Sequence, residues 1–415
     1  MGWRAGLLVL VAAGCHHTPV VVAPRPAAPT APAAAAELPP TEPVVPVLDA
    51  KGLATPPAPS PAGPQGKTFR RLTERDCLLL AAGNTGPANL LDEENRVPVA
   101  GCPTAGDELR RTLRFYAALE ARNGSAAAAL ERYFQLTDAE ARTDLSRRAF
   151  PIGEELLAKA RAAKAAEVRF PLDPAELERQ RSQLLTQIEQ AEHGSRLLNL
   201  DLKRRLGLPA VPPGDRLWPT GDFALPESDV GAEASVETAL ADRPELRGLR
   251  ALYHGLTPET LPDARSVLRA GSPLLGVAPA AVPVRGLARL SRKPPPDPTV
   301  PAELEVRRKQ LFDLIAERER QVADETRAAA FGMQSQRVRV GLARDRVTAW
   351  EEKLADAVKK KDAKQPGADL LEPQARADLL KARAELAGEV SAWHQARVKL
   401  RAATGQLVWE TVPGK

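Results

Sequence analysis

The chain has 415 residues and a formal net charge of +5, with 43% hydrophobic but only 4% aromatic residues. So few aromatics, beside 28 glycines and 39 prolines, exclude a large mixed core. The 58 basic and 53 acidic residues alternate and do not gather into a basic face with stacking aromatics, so no nucleic-acid partner is expected.

Residues 1–15 read as a targeting segment. Arg4 precedes an apolar stretch, Ala5 to Ala13, that is too short to span a bilayer. Ala12-Ala13-Gly14-Cys15 resembles the lipobox of bacterial lipoproteins, with Cys15 as the lipidation site; an ordinary cleaved signal peptide is the alternative. Gly6 stands where a myristoylation motif needs Ser or Thr. His16 follows the cysteine where Asp would signal inner-membrane retention, which by analogy favours the outer membrane. Residues 16–66 are rich in Pro and Ala and are expected to form a disordered, polyproline-like tether. At about 3 Å per residue its reach is on the order of 100 Å.

A first helical repeat is expected over 67–210. It opens with a short leucine-rich helix from Leu72-Thr73-Glu74 to Leu91. Cys77 and Cys102 permit a disulfide in an oxidising compartment, with two free buried thiols as the alternative. A helix from Asp107 to about Arg147 follows, with Leu109, Leu113, Tyr116, Leu130, Tyr133, Phe134, Leu136 and Leu145 on its apolar face. After Pro151 a separate helical stretch is expected to about Val168. Asp173-Pro174 starts another helix, as cap and first residue. That helix carries Leu177, Leu184, Ala191 and Leu198 at sevenfold spacing and stops at Gly207 before Pro209.

After a linker at 211–234, a second helical repeat spans 235–408, with a Pro-rich insertion at 255–301 and a tail at 409–415. Its core is a coiled-coil hairpin from Pro301 to Leu407, broken at Lys364-Gln365-Pro366-Gly367. Phe312, Thr326, Met333, Val340, Val347 and Leu354 mark one seam position, with Glu319 its charged member. Ile315, Val322, Ala329, Ala343 and Trp350 mark the other, with Gln336 its polar member. Leu379, Leu386, Trp393, Leu400 and Leu407 continue the spacing on the return helix. Trp350 and Trp393 are expected at matching positions in facing helices, as core packing or as a constriction or docking contact. Lys359-Lys360-Lys361 reads as a solvated helix end.

Leu400 to Gly405 parallels Leu202 to Gly207 at an offset of 198 residues, so the chain is read as an internal duplication. The expected fold is all-α: an elongated bundle of long coiled-coil helical hairpins in two tandem repeats. Ala239-Leu240-Ala241-Asp242-Arg243-Pro244-Glu245-Leu246-Arg247 resembles the segment that opens each repeat of the TolC-type outer-membrane efflux proteins. Residues 317–327 are similar to the long helix of the family's second repeat, and Leu400 to Leu407 to its ending.

The resemblance implies a homotrimer with a hollow helical tunnel, docking to a periplasmic adaptor and an inner-membrane transporter. It also implies β-strands that cross the outer membrane, and here the sequence departs from the family. Leu91 to Gly106 is short and contains Pro98 and Pro103, and Gly255 to Pro301 contains ten prolines. Little or no β-barrel is therefore expected, and attachment to the periplasmic face of the outer membrane would rest on lipid at Cys15. The leading expectation is an efflux-type component contributing to a periplasmic conduit for small molecules. The alternative is a non-conducting coiled-coil lipoprotein serving as scaffold, spacer or accessory subunit. No catalytic residue, metal ligand set or cofactor is expected, since His16, His17, His193, His254 and His394 show no ligand spacing. His193 and His394 are expected to be exposed.

Overall fold

The computed structural model describes residues 69–99, 102–167, 172–208, 216–220, 225, 231–277, 299–365 and 368–411, with short strands at 40–41, 47–48 and 54–55. The signal segment and Cys15 lie outside the described residues. Four long helices dominate: α3 (Ala105–Ala165) and α4 (Pro174–Arg205) form one hairpin, α8 (Thr299–Asp362) and α9 (Ala368–Ala403) the other. Each hairpin is preceded by a short helix pair, α1 (Glu74–Gly83) with α2 (Gly86–Glu94), and α5 (Ala232–Asp242) with α6 (Pro244–His254). A further helix, α7 (Leu261–Gly271), precedes α8, and α10 (Gln406–Trp409) ends the described chain. At about 1.5 Å per residue, α3 and α8 are each on the order of 90 Å long.

Local chemistry sets the helix starts. Thr73 and Thr104 open α1 and α3 with the same capping box, each exchanging bonds with an Asp three residues on. Asp173 caps α4 through Ala175 N at 3.1 Å, and Pro174 takes the first position. The long helices lie in one layer, with α4 against α3, α3 against α9 and α9 against α8. Side-chain bonds fix the register across it. Arg132 of α3 pairs with Asp201 of α4 at 3.0 Å, Ser391 Oγ of α9 donates to Phe134 O of α3 at 2.7 Å, and Gln336 of α8 donates to Glu389 of α9.

A small sheet braces the first repeat. β4 (Phe69–Leu72) pairs in parallel with β5 (Arg216–Pro219) and antiparallel with β1 (Pro40–Thr41), while β2 (Val47–Leu48) pairs with β3 (Ala54–Thr55). Asn199 of α4 seals the outer edge of β5. Its side chain donates to Leu217 O at 2.8 Å and accepts from Leu217 N at 3.1 Å, as a neighbouring strand would.

Several expectations are corrected. α3 runs unbroken through Pro151, although the proline removes the N–H that would bond Arg147 O. Burial of α3 between α4 and α9 outweighs that loss, on the order of 3 kcal/mol. Three short strands interrupt the stretch 16–66 read as wholly disordered, and β5 lies inside the expected linker 211–234. The insertion 255–301 contains α7, packed on α8 through Leu261, Ala264, Leu268 and Leu311. No strand occurs among the described residues of Leu91 to Gly106 or of 255–301, and no closed barrel among those described. No described helix is long and apolar enough to cross a membrane.

Replacing Asn199 with Leu strands both polar groups of Leu217 in a buried place. The expected cost is about 2 to 4 kcal/mol, read as a lower urea midpoint at unchanged slope.

Candidate functional site

Among the described residues no group of three or more His, Cys, Asp or Glu is placed to hold a metal ion. What the chain displays is a layer, so its faces, edges and ends are the candidate functional surfaces. The layer is tightest at one level, where Trp393 is 1% exposed and Tyr133, Phe134, Leu130 and Met333 are buried with it. Val322, Val340, Val347, Leu379, Leu386 and Leu400 are also buried, so both predicted seams are covered.

Two seam expectations change, and the charged seam position finds its partner. Phe312 is exposed, because the stripe on α8 steps by four residues through Glu303, Arg307, Leu311 and Ile315 while its partner is α7. The sevenfold spacing begins at Ile315. Glu319 turns to Arg250 of α6 at 2.6 Å, which explains a charge at a seam position. Trp350 does not face Trp393. Arg383–Glu351 at 2.9 Å sets Trp350 beside the middle of α9, whereas Gln336–Glu389 sets Trp393 near Met333. Trp350 and Leu354 are half-buried, with Lys353 Nζ 4.1 Å from the Trp350 ring centre.

His193 is exposed, but His394 is buried, stacked on Phe134 at 4.8 Å. The apolar face at this level is wider than one stripe, so it takes in the residue after Trp393. Cys77 and Cys102 are free thiols and form no disulfide. Cys77 lies in the core of α1, where burial, with Glu74 and Asp76 nearby, pushes its thiol well above the usual range; Cys102 is exposed before α3.

The repeat-opening motif is a joint. Arg243 precedes α6, Pro244 is its first residue, and Leu246 is fully buried. Arg243 pairs with Glu245 at 2.6 Å and with Glu325 of α8 at 2.5 Å. Arg247 pairs with Asp242 at 2.5 Å and lies 4.8 Å from the Trp409 ring centre. Gly405, at φ +73°, docks against the backbone of Asp242 and Arg243, where any side chain would be strained. The first repeat has the same joint, with Gly207 at φ +66° against Asn84, whose amide caps Arg204 O and Arg205 O.

At the hairpin tips Pro373 lies inside α9 and cannot donate to Asp369 O. Lys159 Nζ of α3 supplies that bond at 3.1 Å, tying the two hairpins together. Beside it, buried Glu372 accepts from Lys361 and Arg376, and the Lys361 bond holds its carboxyl below the usual range.

The layer's two edges carry exposed apolar side chains. On α4 these are Leu185, Leu197 and Leu200; on α8 they include Phe331, Val338 and Leu342, with Val306, Phe312 and Val358 exposed elsewhere along that helix. The cross-layer bonds set Asp201 level with Arg132 of α3, and that level passes through α9 near Trp393 to α8 near Gly332. Leu200 and Phe331 therefore stand at one height on opposite edges, as do Leu197 and Val338.

Solved structures share this fold at low sequence identity. The chain covers 80% of its length against CusC and 91% of that chain, with a TM-score of 0.56 at 12% identity. Against the open state of the Neisseria gonorrhoeae MtrE outer membrane channel the shares are 80% and 89%, with a TM-score of 0.54 at 13% identity. Against the Campylobacter jejuni CmeC outer membrane channel they are 72% and 66%, with a TM-score of 0.52 at 12% identity. The chain thus spans just under two thirds of CmeC. No family model and no curated protein matches the sequence.

Trp393→Ala is expected to cost about 3 to 5 kcal/mol, since the indole is buried among three helices. Thermal unfolding checks it: an unchanged midpoint would mean the tryptophan is not packed as described.

Proposed function

We propose that this chain is a TolC-type outer-membrane efflux component whose copies close into a helical periplasmic conduit. One observation carries the proposal: the layer ends in two apolar edges, on α4 and α8, with their exposed side chains at matching heights. Such edges suit a head-to-tail contact in which α4 of one copy meets α8 of the next, and that contact closes into a ring when the rotation allows. The fold shared with outer membrane channels supports the same reading. By the family resemblance the ring is a trimer that exports small molecules with a periplasmic adaptor and an inner-membrane transporter. In this reading Cys15 carries the lipid that holds the periplasmic face of the outer membrane.

The alternative, a non-conducting scaffold or spacer lipoprotein, is favoured by one specific observation. Where the resemblance would place membrane strands, the second repeat has α7 folded onto α8.

Light scattering on the mature, lipidated chain is expected to give three times the monomer mass. Phe331→Glu with Leu342→Glu, both at exposed positions, should return it to a monomer with helix content unchanged. A strictly monomeric unsubstituted chain would remove the conduit. Planar-bilayer recording then separates the readings: single-channel steps exclude the scaffold, and a silent trimer favours it.

A further inference from the structure

The repeats meet along α3 and α9, and a second time where α6 of the second lies against α3 of the first. Two close approaches fix the register, Gly255 against Leu109 and Gly248 against Tyr116. The helices run antiparallel, so one more turn along α3 brings Glu120 opposite Pro244 and Glu245. Glu120 and Glu245 are both half-buried, and the Glu245 side chain is only 8% exposed.

The surrounding charges are already committed. Just before α6, Arg243 binds Glu245 at 2.6 Å and Glu325 at 2.5 Å. From α8, Arg318 binds Glu245 at 3.2 Å and Glu325 at 3.4 Å. Glu319 of α8 is held by Arg250, and Arg247 of α6 turns away to Asp242 and Trp409. On α3 itself, Arg122 is taken by Asp92. Glu120 thus arrives as a third carboxylate for two arginines and makes no ion pair among the described residues.

We infer that the Glu120–Glu245 carboxylate pair is a proton-operated latch between the two repeats, holding α6 on α3 when it carries one proton and loosening that contact when the proton leaves. A protonated carboxyl can donate to its neighbour; two carboxylates side by side repel. Burial pushes Glu120 up to about 7, Glu245 adds to the rise, and Arg318 and Arg243 oppose it. The sign follows from linkage. A carboxyl that holds its proton more tightly folded than unfolded stabilises the fold in acid, and that contribution falls away as pH rises from the ordinary carboxylate range to about 7. This latch does not depend on the conduit reading.

Hydrogen exchange on the full chain tests it, at pH 6 and pH 8 with intrinsic rates corrected. Amides of α6 from Leu246 to Leu252 are expected to lose roughly tenfold in protection at the higher pH. In Glu120→Gln that difference should vanish, with α6 protected at both values. Equal protection of α6 in the unsubstituted chain at the two pH values overturns the latch, as does a Glu120→Gln chain that keeps the dependence. Should Glu120→Gln fail to fold, Glu245→Gln takes its place. It leaves Glu120 beside a neutral amide, and a pH difference as large as in the unsubstituted chain would again overturn the proposal.

Discussion

The structure depends on the burial of α3 and α9 in the middle of a one-layer sheet of helices. Each has a long helix on either side, so its apolar residues are covered from two directions, and Trp393, Phe134 and Leu130 are nearly or wholly inaccessible. That covering lets α3 run on through Pro151 and α9 through Pro373, since packing of the long helices outweighs one lost backbone bond. At Pro373 the compensation is visible as the Lys159 bond to Asp369 O. The flanking helices have no such cover on their outer sides, which is where the exposed leucines, valine and phenylalanine lie.

The duplication is physical as well as formal. Both long return helices end in a left-handed glycine pressed onto the junction of their own short helix pair, Gly207 at Asn84 and Gly405 at Asp242 and Arg243. Ion pairs bolt the second short helix of each pair to its long helix, and in one of them the charges are exchanged between the repeats. In the first repeat Asp92 of α2 meets Arg122 of α3; in the second Arg250 of α6 meets Glu319 of α8. What must be kept is an opposite-charge pair at a half-buried contact, not a particular residue on either side.

Much of the fold was legible in the chain. Sevenfold spacing identified Val322, Met333, Val340, Val347, Leu379, Leu386 and Leu400 as buried, and Asp173-Pro174 and the two glycines marked helix ends. The misreadings share a cause. Phe312 is off the stripe because α8 packs first on α7, then from Arg318 to Val322 on α6 and α5, and meets α9 only near Thr326, and a stripe follows its partner. His394 is buried, against the expectation from a single seam, because α9 is covered on two sides. Asn199 carried no signal, because an amide in a helix looks the same whether it faces water or a strand edge.

Periodicity and helix punctuation are local properties, fixed by the pitch of the helix and the backbone preferences of Pro and Gly, so the amino-acid order alone determined that this chain builds two long hairpins. Which edges stay open, which heights match across the layer and which carboxylates face one another were decided only by tertiary packing. Those features rest on contacts such as Ser391 with Phe134, 257 residues apart, whose register no local pattern contains.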